Sequence, residues 1–88
     1  MQQQEAFTLD KLTKNSPAII TKICATPFTD NNNLEQRLLA MGFVEGATVT
    51  IRHFNWLGGD PMVVEIDAGA LIALRKMEAS SICVQTLR

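Results

Sequence analysis

The spacing of apolar residues changes in the middle of this chain. Leu34, Leu38 and Met41 recur four and three residues apart, which is the spacing of one face of a short α-helix. A few residues later the period becomes two, because Val49 and Ile51 alternate with polar side chains. This pattern predicts a short helix, beginning near Leu34, that is followed at once by a half-buried strand.

Two glycines lie where the period changes. Gly42 fits the left-handed backbone position that ends many helices, and Phe43 would then contact Leu38 as part of the helix cap. Gly46 opens the next strand after a tight turn. The sequence therefore gives both glycines, and Phe43 with them, a structural role.

The remaining apolar segments predict further short strands. We expect strands at 18–24, 62–66, 70–75 and 82–86, a single helical turn at 76–81, and a short opening segment at 7–12. Ile20 and Ile23 are three residues apart, so a bulge is needed if both face the core. Gly59, Asp60 and Pro61 form a turn before the strand at 62. About five strands at this spacing predict a small all-β barrel or sandwich with one inserted helix.

Composition limits the chain to a small range of roles. Its 88 residues predict a single domain, and a formal charge of −1 gives no general attraction to nucleic acid or anionic lipid. No apolar run approaches the roughly 20 residues of a membrane span, and the first residues do not resemble a signal peptide. We therefore expect a soluble cytoplasmic protein that binds no nucleic acid and does not insert directly into a membrane.

The cysteines and the histidine form no metal-binding motif. Cys24 and Cys83 are far apart in sequence, so we expect two reduced thiols in or near the core, with a disulfide as the alternative. His53 is in phase with Val49 and Ile51, which favours a core or strand-end position over metal ligation. The prediction is that the domain binds no metal and no cofactor.

Residues that could support catalysis are isolated from one another. Glu65 and Asp67 share a strand face without an evident acid-base partner, and Ser80 has no accompanying base. The chain also lacks the GxxxxGK[ST] phosphate loop of nucleotide hydrolases. We expect a protein that is not an enzyme.

The order of these motifs resembles the FeoA family of bacterial ferrous iron uptake. The resemblance covers about residues 7–84 and is carried by blocks of matching residues in the same order. These are Leu9 and Leu12; Ile20 and Ile23; Arg37-Leu38; Met41-Gly42-Phe43; Gly46, Val49 and Ile51; Gly59-Asp60-Pro61; Val64 and Ile66; 72–75; Glu78-Ala79; and Ile82 and Val84. The resemblance implies an SH3-like β-barrel with a short α-helix inserted after the second strand.

The family resemblance also implies a function. It predicts a non-catalytic interaction module that binds and modulates FeoB, a membrane iron transporter with a GTP-binding domain. One alternative is a stand-alone regulatory module related to the C-terminal domain of iron-dependent repressors. Another is a small barrel that binds peptides or nucleic acid, although a single tryptophan and no tyrosine make this less favourable. A homo-oligomer remains compatible with the sequence.

Four residues are candidates for contact with the partner. Trp56 and Leu57 lie at a predicted loop tip, and Leu39 falls outside the apolar helix face, close in sequence to Arg37. Large apolar and arginine side chains dominate binding energy at protein interfaces. For Trp56 the alternative is a structural one, in which the indole folds over one end of the barrel as a lid.

Overall fold

A computed structural model describes residues 6–24, 32–56, 58–67 and 69–87. The elements follow in the order β1 (Ala6–Thr8), a 3-10 turn (Leu9–Lys11), β2 (Ala18–Ile23), α1 (Asn32–Ala40), β3 (Thr48–Phe54), β4 (Met62–Ile66), β5 (Ala70–Leu74), α2 (Lys76–Ala79) and β6 (Ile82–Thr86). The five predicted strands, the inserted helix and the single helical turn are all present. The segment predicted only as an opening stretch contains a sixth strand, β1.

The strands form one antiparallel sheet in the order β1-β6-β2-β3-β4-β5. β1 and β5 are therefore its two edges. The residues buried between the sheet, the 3-10 turn and α1 make one hydrophobic core. Its larger members are Leu9, Leu12, Ile20, Leu34, Leu38, Phe43, Val49, Ile51, Met62, Val64, Ile66, Leu74, Ile82 and Val84.

A bulge in β2 places two isoleucines against the core. The register of β2 with β6 shifts between Ile20 and Lys22, and this extra residue changes which face the following side chains occupy. Ile20 is buried and Ile23 packs, partly buried, against the same cluster. The bulge predicted from their spacing is confirmed.

The end of α1 also follows the sequence prediction. Gly42 has φ of +106°, its N–H donates to the Leu39 carbonyl at 3.0 Å, and the Phe43 N–H donates to the Leu38 carbonyl at 3.0 Å. These two bonds are those of a Schellman cap, whose hydrophobic contact joins Phe43 to Leu38. Both side chains are fully buried. The cap fixes where the chain leaves the helix for β3.

Replacing the glycine of this cap tests its role. Gly42→Ala is expected to lower the free energy of unfolding by about 1–2 kcal/mol, because an L-residue disfavours this backbone conformation. Gly69→Ala is the matched control, since Gly69 is outside the positive-φ region and an added Cβ would meet nothing within 4 Å. Urea unfolding monitored by circular dichroism compares the two. Equal losses at both positions would contradict the cap.

Two predictions for individual residues need separate outcomes. Of the core and strand-end positions predicted for His53, the core position is wrong and the strand-end position is observed: His53 is exposed and is the second-last residue of β3, because a register shift between Ile51 and His53 removes it from the phase of Ile51. The second prediction, for the cysteines, is wrong. Cys24 and Cys83 are not reduced thiols but are joined as a disulfide, with their Cα atoms 6.4 Å apart. Hydrogen bonding of β2 to β6 brings these two positions together, and the sequence contains no local sign of that pairing.

Neither helix in the described part of the chain has the length and apolar content of a membrane span.

Candidate interaction surface

Two separate segments, the β3–β4 loop and α1, contact the short helix α2. The Lys76 N–H donates to Asp60 Oδ1 at 3.0 Å, which satisfies one of the free N–H groups at the helix start. Gly59 lies against the same lysine, since a Cβ placed there would be 3.7 Å from Lys76 Cε. On the other side, the Glu78 carboxylate forms an ion pair with the Arg37 guanidinium of α1. The β3–β4 loop and α1 are thus both attached to α2.

The loop between β3 and β4 holds Trp56 away from the core. Gly58 and Gly59 have φ of +84° and +79°, and the Gly59 N–H closes the turn on the Asn55 carbonyl at 2.6 Å. Trp56 is 85% exposed, the largest fraction among the exposed large apolar residues. The alternative in which its indole covers a barrel end is therefore wrong. Leu57, the second candidate in this loop, lies outside the described residues.

Asp60 and Pro61 complete the structural role predicted for this loop. The Asp60–Pro61 peptide bond is cis, and the Pro61 carbonyl accepts a hydrogen bond from the Asn55 N–H at 3.2 Å. Gly46, the other glycine of the predicted motif, has φ of +92° in a turn closed by the Ala47 N–H on the Val44 carbonyl at 3.0 Å. Pro61 and Gly46 therefore take part in the turns that connect β3 to β4 and α1 to β3, respectively.

The two candidates on α1 face different directions. Arg37 and Leu39 are two positions apart in sequence, and at about 100° per residue this places them about 200° apart around the helix. Arg37 lies beside α2, where its side chain remains 59% exposed despite the ion pair with Glu78. Leu39, 41% exposed, lies on another side of α1. Arg37 and Leu39 therefore do not belong to one patch.

Sequence reasoning missed an exposed apolar residue in α2. Met77 is 67% exposed, next to the lysine that contacts the β3–β4 loop. Ala79 is the buried residue of this four-residue helix, so most of its other side chains face outward. The shortness of the predicted helical turn was the sequence signal that could have indicated an exposed Met77. We call Arg37, Trp56 and Met77 the α2 surface. Exposed large apolar groups and arginines are typical of protein-binding sites.

The acidic residues of the outer sheet face have structural partners. Arg52 Nε donates to Glu65 Oε1 at 2.7 Å, and Arg52 also reaches Asn15 Oδ1 at 3.1 Å. Asp67 Oδ1 accepts the Thr48 N–H at 3.2 Å. No group of three or more potential metal ligands occurs within the residues that the structure describes. This face offers an ion pair and turn contacts rather than a reaction centre.

Comparison with known proteins identifies the family of this chain. The sequence model of the FeoA domain matches residues 7–86. The chain belongs to the FeoA family. This membership links it to iron transport and confirms the resemblance inferred from the order of its motifs. A search of curated proteins found no match.

Solved FeoA structures are similar over most of the chain. A solution structure of FeoA from Chlorobium tepidum has a TM-score of 0.76 and 30% identity, covering 93% of this chain and 71% of that one. Iron(II) transport protein A from Clostridium thermocellum has a TM-score of 0.79 and 33% identity, covering 92% of this chain and 46% of that one. FeoA from Stenotrophomonas maltophilia, complexed with zinc and described as an SH3 domain protein, has a TM-score of 0.75 and 28% identity, covering 89% and 88%. The SH3-like fold is confirmed.

Metal-dependent repressors share this fold. A manganese-dependent transcriptional repressor has a TM-score of 0.79 over 93% of this chain, but over 37% of its own length and with 18% identity. Identity this low supports the shared architecture and no common activity.

Proposed function

We propose that this FeoA domain is a non-catalytic module that supports ferrous iron uptake by binding a FeoB-type transporter from the cytoplasm and modulating it. Family membership supports the link to iron transport. The related Stenotrophomonas maltophilia protein is itself proposed to act as a ferrous iron transport activating factor. The exposed apolar groups and the absence of a metal-ligand cluster among the described residues favour binding over catalysis or iron carriage.

The exposure of Trp56 is the observation that carries this proposal. A tryptophan that is 85% exposed leaves a large apolar area in water, and its burial by a partner would be strongly favourable. Its loop is attached through Gly59 and Asp60 to Lys76 of α2, the residue that precedes the exposed Met77 in sequence. We therefore place the transporter contact on the α2 surface, with Leu39 and Leu57 as further candidates.

Direct binding to the transporter is the first test. Purified protein is titrated into the cytoplasmic GTPase portion of the cognate FeoB and, separately, into the full-length transporter in detergent. Each titration is done without nucleotide, with GDP and with a non-hydrolysable GTP analogue, and isothermal calorimetry gives the affinity and stoichiometry. We expect saturable one-to-one binding to at least one of these forms. Failure to bind any of them would refute the proposed partner.

Removing the indole should weaken this binding without changing the fold. Trp56→Ala is expected to raise the dissociation constant about 30-fold, equivalent to about 2 kcal/mol, as for a tryptophan at the centre of an interface. Leu87→Ala removes an exposed apolar group, 42% exposed, that follows β6 and lies outside the α2 surface. Circular dichroism should be unchanged in both variants. If the leucine variant loses as much affinity as the tryptophan variant, the contact lies elsewhere.

A further inference from the structure

The disulfide between Cys24 and Cys83 lies on the outer face of the sheet. In β6, Cys83 is flanked by Ile82 and Val84, which are both fully buried, so its side chain points away from the core. Cys24 follows directly after β2, and both cysteines are only partly buried. Exposed disulfides are more labile towards thiols than interior ones. The position of the bond therefore favours access by thiol reagents from solvent.

The fold keeps the two cysteines together without help from the sulfur–sulfur bond. β2 pairs with β6 from one end of the strand to the other. The Cys24 N–H extends this pairing by donating to the Ser81 carbonyl at 2.6 Å. The Thr21 hydroxyl donates to the Cys83 carbonyl at 3.1 Å. These backbone contacts do not depend on the disulfide, so the thiols of the reduced chain remain placed for an intramolecular reaction that forms the bond again.

A lysine lies beside one of the two cysteines. Lys22 is exposed and is opposite Cys83 in the register of β2 with β6. The Cβ atoms of directly opposed residues in antiparallel strands are about 4.5–5.5 Å apart, on the same face of the sheet. Positive charge near a cysteine favours the thiolate, which is the form that leaves in disulfide exchange. Cys83 is therefore the sulfur expected to leave when the bond is broken.

We propose that Cys24–Cys83 is a reversible thiol–disulfide exchange site, and that its reaction partner is a cellular dithiol. A thiolate of the dithiol attacks Cys24 Sγ, the sulfur–sulfur bond breaks, and Cys83 leaves as a thiolate that takes up a proton. The second thiol of the reductant then attacks the mixed disulfide and releases Cys24 as a thiol. The protein gains two electrons and two protons, and the dithiol becomes a cyclic disulfide.

The proposed cytoplasmic location adds to the case for exchange. Disulfides of cytosolic proteins are usually transient, and they are catalytic or redox-sensing rather than structural. This location belongs to the proposed function, whereas the exchange chemistry depends on the protein alone. The chain contains two cysteines in total, so exchange within one molecule always returns to the same pair.

The state of this pair sets how often the domain opens. The disulfide closes a loop spanning 59 positions, and cutting it should raise the unfolded fraction about 1000-fold. Proteases cleave the open form of a domain, so the reduced protein is degraded sooner than the oxidised one. The exchange site thereby couples the lifetime of the domain to the reducing power around it.

A redox titration of the folded protein tests the exchange. The purified chain is equilibrated without denaturant in buffers of reduced and oxidised dithiothreitol or glutathione, then alkylated, and mass spectrometry counts the free thiols. We expect one transition between no free thiol and two, at the same position from either direction, with unchanged circular dichroism. Reduction that occurs only in urea would show a purely structural disulfide and overturn the proposal. Thiols that never form the bond would overturn it as well.

The role of the lysine is tested by reaction rates. Lys22→Gln should slow reduction by dithiothreitol about two- to fivefold, as for the loss of an exposed charge interaction. Lys14→Gln is the matched control, because Lys14 is also exposed but lies outside β2 and β6. Equal rates in the two variants would overturn the assignment of Cys83 as the leaving sulfur.

Proteolysis of the native protein tests the consequence for stability. Thermolysin should cleave the reduced protein up to about 1000-fold faster than the oxidised one. Cys24→Ser/Cys83→Ser should match the reduced protein in every redox buffer. Equal cleavage of the oxidised and reduced forms would overturn the coupling to lifetime. None of these measurements contains the transporter, so their failure is distinct from a failure to bind FeoB.

Discussion

Truncating Phe43 to alanine is expected to lower the free energy of unfolding by about 3–5 kcal/mol, the range for a fully buried phenylalanine. The residue follows the glycine that ends α1, and its N–H completes the helix cap on the Leu38 carbonyl. Its ring fills the position where the cap contact meets the core. In an 88-residue domain, this loss is a large part of the total stability.

Urea unfolding followed by far-ultraviolet circular dichroism measures the effect. Phe43→Leu is the smaller truncation and should cost less than Phe43→Ala, because it keeps four apolar side-chain carbons in the core. Phe54→Ala is a second control, because Phe54 is only partly buried at the end of β3 and should lose less than Phe43. If Phe43→Ala loses no more than Phe54→Ala, the connection after α1 does not pack as described.

The elements that sequence predicts correctly are those with a strong local signal. Val49 and Ile51 alternate with polar residues, and both are fully buried in β3. The positive φ of Gly42 follows from backbone sterics that act within a few residues of the helix end. Such patterns also gave the places of β4, β5 and β6 to within a residue at either end.

The features that sequence missed depend on contacts between distant segments. β1 is only three residues long, too short for a pattern, and is a strand because β6 pairs with it. His53 changes face because of a one-residue bulge, which alternation alone cannot indicate. The disulfide likewise depends on strand pairing, since its cysteines are 59 residues apart.

The candidate surface could be predicted only in part. The position of Trp56 between predicted turn residues correctly suggested an exposed side chain. The contacts that attach its loop and α1 to α2 join residues 16 and 41 positions apart, so no local spacing reveals them. Arg37 and Trp56 were therefore proposed for independent reasons, and the structure shows that the helix of one and the loop of the other are both attached to α2.

Breaking the disulfide between Cys24 and Cys83 is expected to lower the free energy of unfolding by about 4 kcal/mol, since the bond closes a loop spanning 59 positions and restricts the unfolded chain. The folded state should change little. β2 and β6 remain paired through backbone bonds, including the one from the Cys24 N–H to the Ser81 carbonyl at 2.6 Å. Urea unfolding with and without a phosphine reductant measures the difference.

The double variant Cys24→Ser/Cys83→Ser supplies the control for this measurement. It should unfold at the lower urea concentration of the reduced protein, and reductant should have no further effect on it. An unfolding curve of the unchanged protein that is insensitive to reductant would show that the two thiols are free. That result would restore the reduced-thiol interpretation, which accords with a cytoplasmic location because disulfides are rare there. Alkylation of the protein in freshly lysed cells, followed by mass spectrometry, would then report which state the chain adopts in the cell.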